Sequence, residues 1–557
     1  MAASSTRFPI PVRDDDENHV YLSVGHQQMM TDAMKPLGLS MWQLVAIPVM
    51  HAAGGRLFVD GTAPLAAPLT RARLLAGFAT ADPLTADAMQ RVVNRGDFLP
   101  PAPVETPAAP ALPGRAPSTT EIDPAIVATL RQRTEVSLAA LRGDLAATSG
   151  PGRIDFVLAD ISELKRLMVD PESMPVILAA MEATRWLNEQ LRDWLGETNA
   201  ADTLAQSAPG NVTAEMGLAL LDVADAIRPF PEVVAFLAGV DDDGFLDEMS
   251  DLDGGPLACE AIRAYLDSYG MRCVGEIDIT RPRWSERPFT LVPLILGNVR
   301  NFEPGAGTRR FQHGEREASR MEQQLLQRLR ALPDGEQRAV ETKRMIDRVR
   351  AFTGYREFPK FGIVRRLAVY KEAIMAEADR LVATGVIRER EDIFFLTMHE
   401  LRDVVAAQRI DHDLIVRRRD EFAAYESLSP PRVVTSDGEV ATGSYRRDRV
   451  PAGVLVGLAV STGTVEGRAR VILDIGEADL EPGDILVTAF TDPSWTPVFV
   501  AIAGLVTEVG GLMTHGAVIA REYGIPAVVG VERATQLIRD GQRIRVDGTT
   551  GTIDLLP

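Results

Sequence analysis

One histidine stands out for chemistry. His515 lies in Gly510-Gly-Leu-Met-Thr-His515-Gly-Ala-Val-Ile-Ala-Arg-Glu-Tyr-Gly-Ile-Pro526, where two glycines join an apolar run to a helical pattern. Glycines at 510 and 511 permit backbone conformations and close approach that a Cβ would block. Thr514 is placed to cap a helix starting near His515, Gly524 to end it, and Pro526 to prevent its continuation. The free amides and positive dipole end of that helix favour a dianionic group on the ring. Imidazole is nucleophilic near neutral pH, and its phosphoramidate stays reactive towards a second acceptor, so the residue suits a phosphoryl relay. A lone histidine would read as a capped loop residue; the length of the motif, Gly510, Gly511, Thr514 and Gly516 included, favours chemistry.

A second group is Arg356, Glu357 and Lys360. Arg356 and Lys360 stand four apart, so on one helix they share a face and together can grip a phosphate, with Pro359 kinking that helix or starting a new one. In isolation the pattern is a solvated surface. Met29, Met30, Met34, Met41 and Met50 cluster near the start; flexible thioethers line adaptable pockets, although such clusters are more often core. His26 reads as a structural hydrogen-bonding residue. The acidic run 241–248 does not follow calcium-loop spacing, no Gly-x-x-x-x-Gly-Lys-Ser/Thr loop occurs, and no metal-ligand set is evident, so neither a metal nor tightly held ATP is expected on this chain.

The elements that must position these residues follow from composition and periodicity. At 557 residues the chain exceeds one core, and two to four domains are expected. Lys and Arg number 59 against 78 Asp and Glu, a net charge of −19 that repels nucleic acid and anionic membranes. Two cysteines, Cys259 and Cys273, and apolar runs too short to span a bilayer point to a reducing cytoplasm. Residues 1–19 read as a polar tail or linker. From 20 to 430 the pattern is mixed at first, with a strand at Arg56 to Asp60 and a helix around Leu69 to Phe78. A Pro/Ala-rich insertion follows at 100–124, and the region is mostly 3.6-periodic from Ile126 to Asp420. A Pro/Gly-rich hinge linker is expected at 431–453. Beyond it, 454–557 reads as a β/α domain, with strands at Ala469 to Leu473, Ile485 to Thr488, Gly504 to Thr507 and Pro526 to Val529, and helices near Val498 to Ala503 and Ala517 to Tyr523. The expected fold is multidomain: a mostly α-helical substrate-binding domain followed by a C-terminal β/α swivelling domain.

Residues 454–557, carrying the His515 motif, resemble the mobile phosphohistidine domain of the phosphoenolpyruvate-utilising enzymes. Most of 20–557 further resembles the rifampicin phosphotransferases, strongest at Tyr21 to Asp32, Gly54 to Asp60, Gly275-Glu-Ile-Asp278, Arg281-Pro-Arg-Trp284 and Tyr355-Arg-Glu-Phe-Pro-Lys360. The resemblance implies ATP giving AMP and phosphate, with a phosphoryl group passing through His515 to a hydroxyl of a bulky apolar acceptor of rifamycin type. It implies that Val24, Gln28 and Met50 contact the acceptor, that Arg356 and Lys360 contact acceptor and phosphate, joined by Gln28, and that Glu357 serves as base. Because the polar tail leads directly into the Tyr21 segment, an N-terminal ATP-grasp domain is expected to be lacking. ATP and Mg are then expected only through a separate ATP-grasp partner, or else the chain is a truncated, inactive form. Two other readings stay open: a split subunit like phenylphosphate synthase acting on another hydroxyl compound, and a non-catalytic binder of a hydrophobic ligand.

Overall fold

Val20–Ser23 is too short to stand alone, and it finds partners on both edges. Arg56–Asp60 pairs with it antiparallel on one side and Val433–Thr435 on the other. In the computed structural model, which describes residues 8–11, 17–28, 30–46, 48–96, 98–101, 122–445, 451, 453–512 and 514–556, these strands form a five-stranded sheet. Its order is Met50–Ala53, Arg56–Asp60, Val20–Ser23, Val433–Thr435, Val440–Ala441. The stretch 431–453, expected as a hinge, thus begins with two strands that complete a sheet started four hundred residues earlier; their apolar runs are too short to register as strands in a Pro/Gly-rich sequence. Residues 446–450 and 452 of that stretch, most of the tail at 1–19, Met29 and residues 102–121 of the Pro/Ala insertion lie outside the described residues.

From Ile126–Ala146 to His412–Glu426 the chain is helical. Local signals set several boundaries. The Asp82 carboxylate accepts from the Thr85 amide at the start of Pro83–Asn94, and the Asn211 side chain accepts from the Thr213 and Ala214 amides at the start of Val212–Ile227. Thr397 and Glu400 form a capping box.

The C-terminal domain is built on an eight-stranded sheet. Thr464–Val471, Ile485–Thr488, Gly504–Thr507 and Ala527–Val529 run parallel at its centre, with antiparallel strands outside them. The expected strand at Ala469 to Leu473 begins earlier, and the helix expected at Val498 to Ala503 is a single turn, Thr496–Phe499. That turn is buried, so its apolar residues reflect packing rather than length. One apolar core spans the two regions: Met216, Leu220, Ile262 and Ile295 from the helices pack in one cluster with Trp495, Phe499, Leu505 and Ile519. Trp495 is 1% exposed at the centre of that seam. Trp495→Ala is expected to lower the free energy of unfolding by about 3–5 kcal/mol. Urea denaturation checks this: the midpoint should fall with little change in slope.

Candidate functional site

Thr514 occupies the cap position of helix His515–Tyr523, and Gly524 closes the helix at φ +66°. The Thr514 hydroxyl, however, makes no bond to the first turn. It donates to the Gly511 carbonyl at 2.8 Å and accepts from the Gly511 amide at 3.3 Å, tying down the loop instead. The helix's leading amides are therefore not consumed by that side chain. Gly510, Gly511 and Gly516 serve close approach, since none of the three has a positive φ. A Cβ on Gly511 would overlap the Ala81 carbonyl, and one on Gly516 would overlap the Thr491 hydroxyl.

His515 is buried with both ring nitrogens engaged. Nδ1 lies 3.4 Å from Glu357 Oε2, and Nε2 lies 3.1 Å from Thr496 Oγ1. Thr496 donates its own proton to the Pro493 carbonyl at 2.8 Å, which leaves its oxygen an acceptor towards the ring. The Phe499 ring meets the imidazole edge-on, with centroids 6.4 Å apart.

Glu357 ends the 3-10 turn Thr353–Glu357, and helix Phe358–Ala383 starts directly after it with Pro359 in its first turn. Arg356 and Lys360 therefore flank a junction instead of sharing one helix, because the proline begins a new helix there. Burial opposes ionisation of Glu357. The hydrogen bond and charge of His515, with the charges of Arg356 and Lys360, nevertheless hold its carboxyl down to about 2. Lys360 Nζ is 3.7 Å from Glu276 Oε1, and Glu276 in turn accepts from Arg272 Nη1 at 2.8 Å on both oxygens. Asp492, from the histidine domain, accepts from the Gly275 amide at 2.6 Å. Burial and the Glu276 charge push its carboxyl up, with Lys360 acting against them.

Thr496, Glu276 and Asp492 are the residues the sequence reading missed. Asp492-Pro-Ser carries one signal, since an Asp two residues before a Ser can fix a tight turn, and its Oδ1 accepts from the Ser494 amide at 3.0 Å.

Val24, Gln28 and Met50 come together around a cavity of about 70 Å³, with Met30, Met34 and Trp42 among its other walls. Met41 instead packs in the helical core. Ile277, adjacent to Glu276, also lines the cavity, and Trp42 Nε1 donates to its carbonyl at 2.7 Å. One segment, Gly275 to Asp278, thus touches both the histidine site and the cavity. Arg281 pairs with Asp32, another lining residue, at 3.0 Å. His26 bonds the Ser23 hydroxyl through Nδ1 at 2.9 Å, and burial, with Arg432 and Arg56 nearby, holds its pKa well below the ordinary value.

The site is thus a histidine that opens a helix on a β/α domain and docks against a carboxylate of a helical region, and the domain that carries it is of the mobile-domain class. Residues 480–551 match the mobile domain of PEP-utilising enzymes, and residues 172–357 match the fourth domain of rifampicin phosphotransferase. The chain is 65% identical over 552 residues to a rifampicin phosphotransferase of Streptomyces sviceus and 57% identical over 553 residues to one of Bacillus subtilis, each match covering 99% of this chain. A prodigiosin-synthesising transferase of Serratia marcescens is 30% identical over 308 residues, covering 52% of this chain and 32% of that protein. Similarity to the rifampicin phosphotransferases thus runs along nearly the whole of this chain. The chain spans 64% of the length of the two phosphotransferases. Among the described residues, no helix is long and apolar enough to cross a membrane.

The carboxyl of Glu357 has an ordinary value of 4.5 and sits at about 2 in the folded protein. Its charged form therefore stabilises the fold above the ordinary value, and that contribution is lost as pH falls from there towards about 2. Glu357→Gln is expected to cost roughly 1–3 kcal/mol at neutral pH. Urea unfolding of both proteins between pH 6 and the acid limit should show the difference shrinking on acidification; a constant difference would refute the assignment.

Proposed function

We propose that the chain performs the delivery half of a phosphotransfer in which His515 carries a phosphoryl group, derived from ATP at an ATP-grasp domain, to a hydroxyl of a rifamycin-type acceptor. The observation that carries this reading is the burial of His515 against Glu357, with Arg356 and Lys360 acting on the same carboxylate. In the transfer, the acceptor oxygen attacks phosphorus, the P–N bond breaks, and the imidazole leaves. Arg356 and Lys360 offset the charge spread over the phosphoryl oxygens. Glu357, ionised in this setting, takes the proton of the acceptor hydroxyl.

The cavity bounded by Val24, Gln28 and Met50 supplies the apolar acceptor site, with Gln28 as its polar contact. At about 70 Å³ it holds only part of a bulky antibiotic. Binding then requires the methionine walls to rearrange and the Asp32–Arg281 pair to part, and flexible thioethers make the first of these inexpensive. ATP and Mg enter only through the ATP-grasp domain, whether it is joined to this chain or acts as a separate partner. The overall stoichiometry is ATP, acceptor and water giving AMP, phosphate and phosphorylated acceptor.

Incubation with ATP labelled on the β-phosphate and a family ATP-grasp domain should place acid-labile label on the chain, and His515→Ala should carry none. Adding rifampicin should then move the label to the antibiotic. Lys360→Met should slow that second step about 10²–10³-fold while the histidine still labels. Absence of label on the unaltered chain with every family ATP-grasp domain tried would sink the relay.

A further inference from the structure

A second cavity lies at the far end of the helix that carries His515. It encloses about 210 Å³ between helix Val212–Ile227, helix Ala306–Arg330 and the last turn of His515–Tyr523. Of the ionisable side chains that line it, Glu215 and His313 are exposed, whereas Arg310 and Glu522, of opposite sign, turn away from solvent. Glu522, 9% exposed, accepts a hydrogen bond from the Asn211 side chain on Oε2, and its other oxygen has no hydrogen-bond partner among the described residues. Arg310 donates through Nη1 to the Val500 carbonyl at 2.8 Å and lies over the Tyr523 ring, its guanidinium carbon 5.0 Å from the ring centre. Neither side chain forms an ion pair among the described residues, with the other or with any third group. Phe311 and Leu218 supply apolar wall.

Buried charges are ordinarily neutralised by a partner, because each loses its hydration on burial. Here a cationic and a carboxylic group face one partly apolar space of small-molecule size, and each is left without a counter-charge. From this juxtaposition we infer that the cavity binds a small zwitterion of the α-amino acid class, its carboxylate on Arg310, its ammonium on Glu522 and its side chain against Phe311 and Leu218. The groups' titration agrees with that vacancy of charge. Burial, reinforced by the charges of Glu357 and Glu215 and opposed by the Asn211 hydrogen bond, pushes the Glu522 carboxyl up to about 8. Burial likewise lowers Arg310. An ammonium in contact with Glu522 favours its ionised form.

The site is shared between two bodies. Arg310 belongs to the helical region, whereas Glu522, Tyr523 and Val500 belong to the histidine domain. A ligand bridging Arg310 and Glu522 therefore binds the docked arrangement alone and stabilises it by mass action. The inference goes beyond the phosphotransfer reading and survives its failure, because its readout is binding.

The test is calorimetric titration and thermal unfolding of the full chain with glycine, leucine, phenylalanine and glutamate, alongside butylamine, butyrate and inorganic phosphate. At least one amino acid should bind saturably at millimolar concentration and raise the unfolding midpoint. Each compound with a single charge should bind at least about tenfold more weakly, as should the same amino acid to Arg310→Gln and to Glu522→Gln. Leu218→Trp, which fills the cavity without altering either charge, should abolish binding and serves if the charge variants fail to fold. Binding of no amino acid, equal binding of butylamine, butyrate or phosphate, or unchanged binding to the variants would overturn the inference.

Discussion

A carboxylate kept ionised inside a buried seam is the constraint around which this molecule is arranged. Glu357 has lost most of its water, and an isolated charge in that position would protonate or pull the seam open. Its ionisation is sustained by His515 from one body and by Arg356 and Lys360 from its own. Lys360 then approaches Glu276, and Glu276 is held by Arg272, both about 1% exposed. The charges form a sequence of alternating sign from the histidine domain into the helical region, and its inner end, Gly275 to Asp278, is also a wall of the apolar cavity. Such pairs contribute little net stability against an apolar alternative, but removing one member strands its neighbours. Their effect is therefore on register: the histidine docks in one orientation.

The strength of the docking comes from elsewhere. Trp495, Phe499, Leu505 and Ile519 share one core with helices of the other region. Apolar contact is strong but non-directional, while the hydrogen bonds of Asp492 to Gly275, of Tyr523 to the Ala214 carbonyl at 3.1 Å and of Asn301 to the Leu480 carbonyl at 2.6 Å are directional. Burial holds the domain, and the polar contacts choose where.

Features whose cause is local were legible in the sequence. The His515 helix begins and ends at the threonine and glycine that flank it, the parallel strands Ile485–Thr488 and Gly504–Thr507 follow their apolar runs, and Val24, Gln28 and Met50 do share a cavity. The family resemblance, more than any periodicity, singled out those three. What stayed hidden depends on chain segments meeting across long separations. Glu276 and Asp492 look like ordinary surface acids until the seam buries them, and Thr496 acquires a role only because a one-turn helix sets its hydroxyl against the ring. The spacing of Arg356 and Lys360 suggested a shared helical face, yet Pro359 places a junction between them. The strands at 433–435 and 440–441 escaped for the same reason: their partner is Val20–Ser23.

The hydrogen-bond partners of His515 bear on when the relay of the proposed function acts. Glu357 presents an acceptor to Nδ1, and Thr496, its proton given to Pro493, presents another to Nε2. A ring with protons on both nitrogens satisfies both partners, but such a ring has no lone pair with which to attack phosphorus. For the proposed relay, the docked arrangement would therefore suit the histidine after delivery and not during charging. A phosphorylated ring entering the same seam loses one of these two bonds and brings a dianion towards Glu357, so it must draw more heavily on Arg356 and Lys360 than the bare ring does. The transfer relieves that repulsion, and the freed ring nitrogen regains its hydrogen bond once it takes up a proton. In the proposed relay the seam would therefore favour the discharged histidine over the charged one and give delivery its direction.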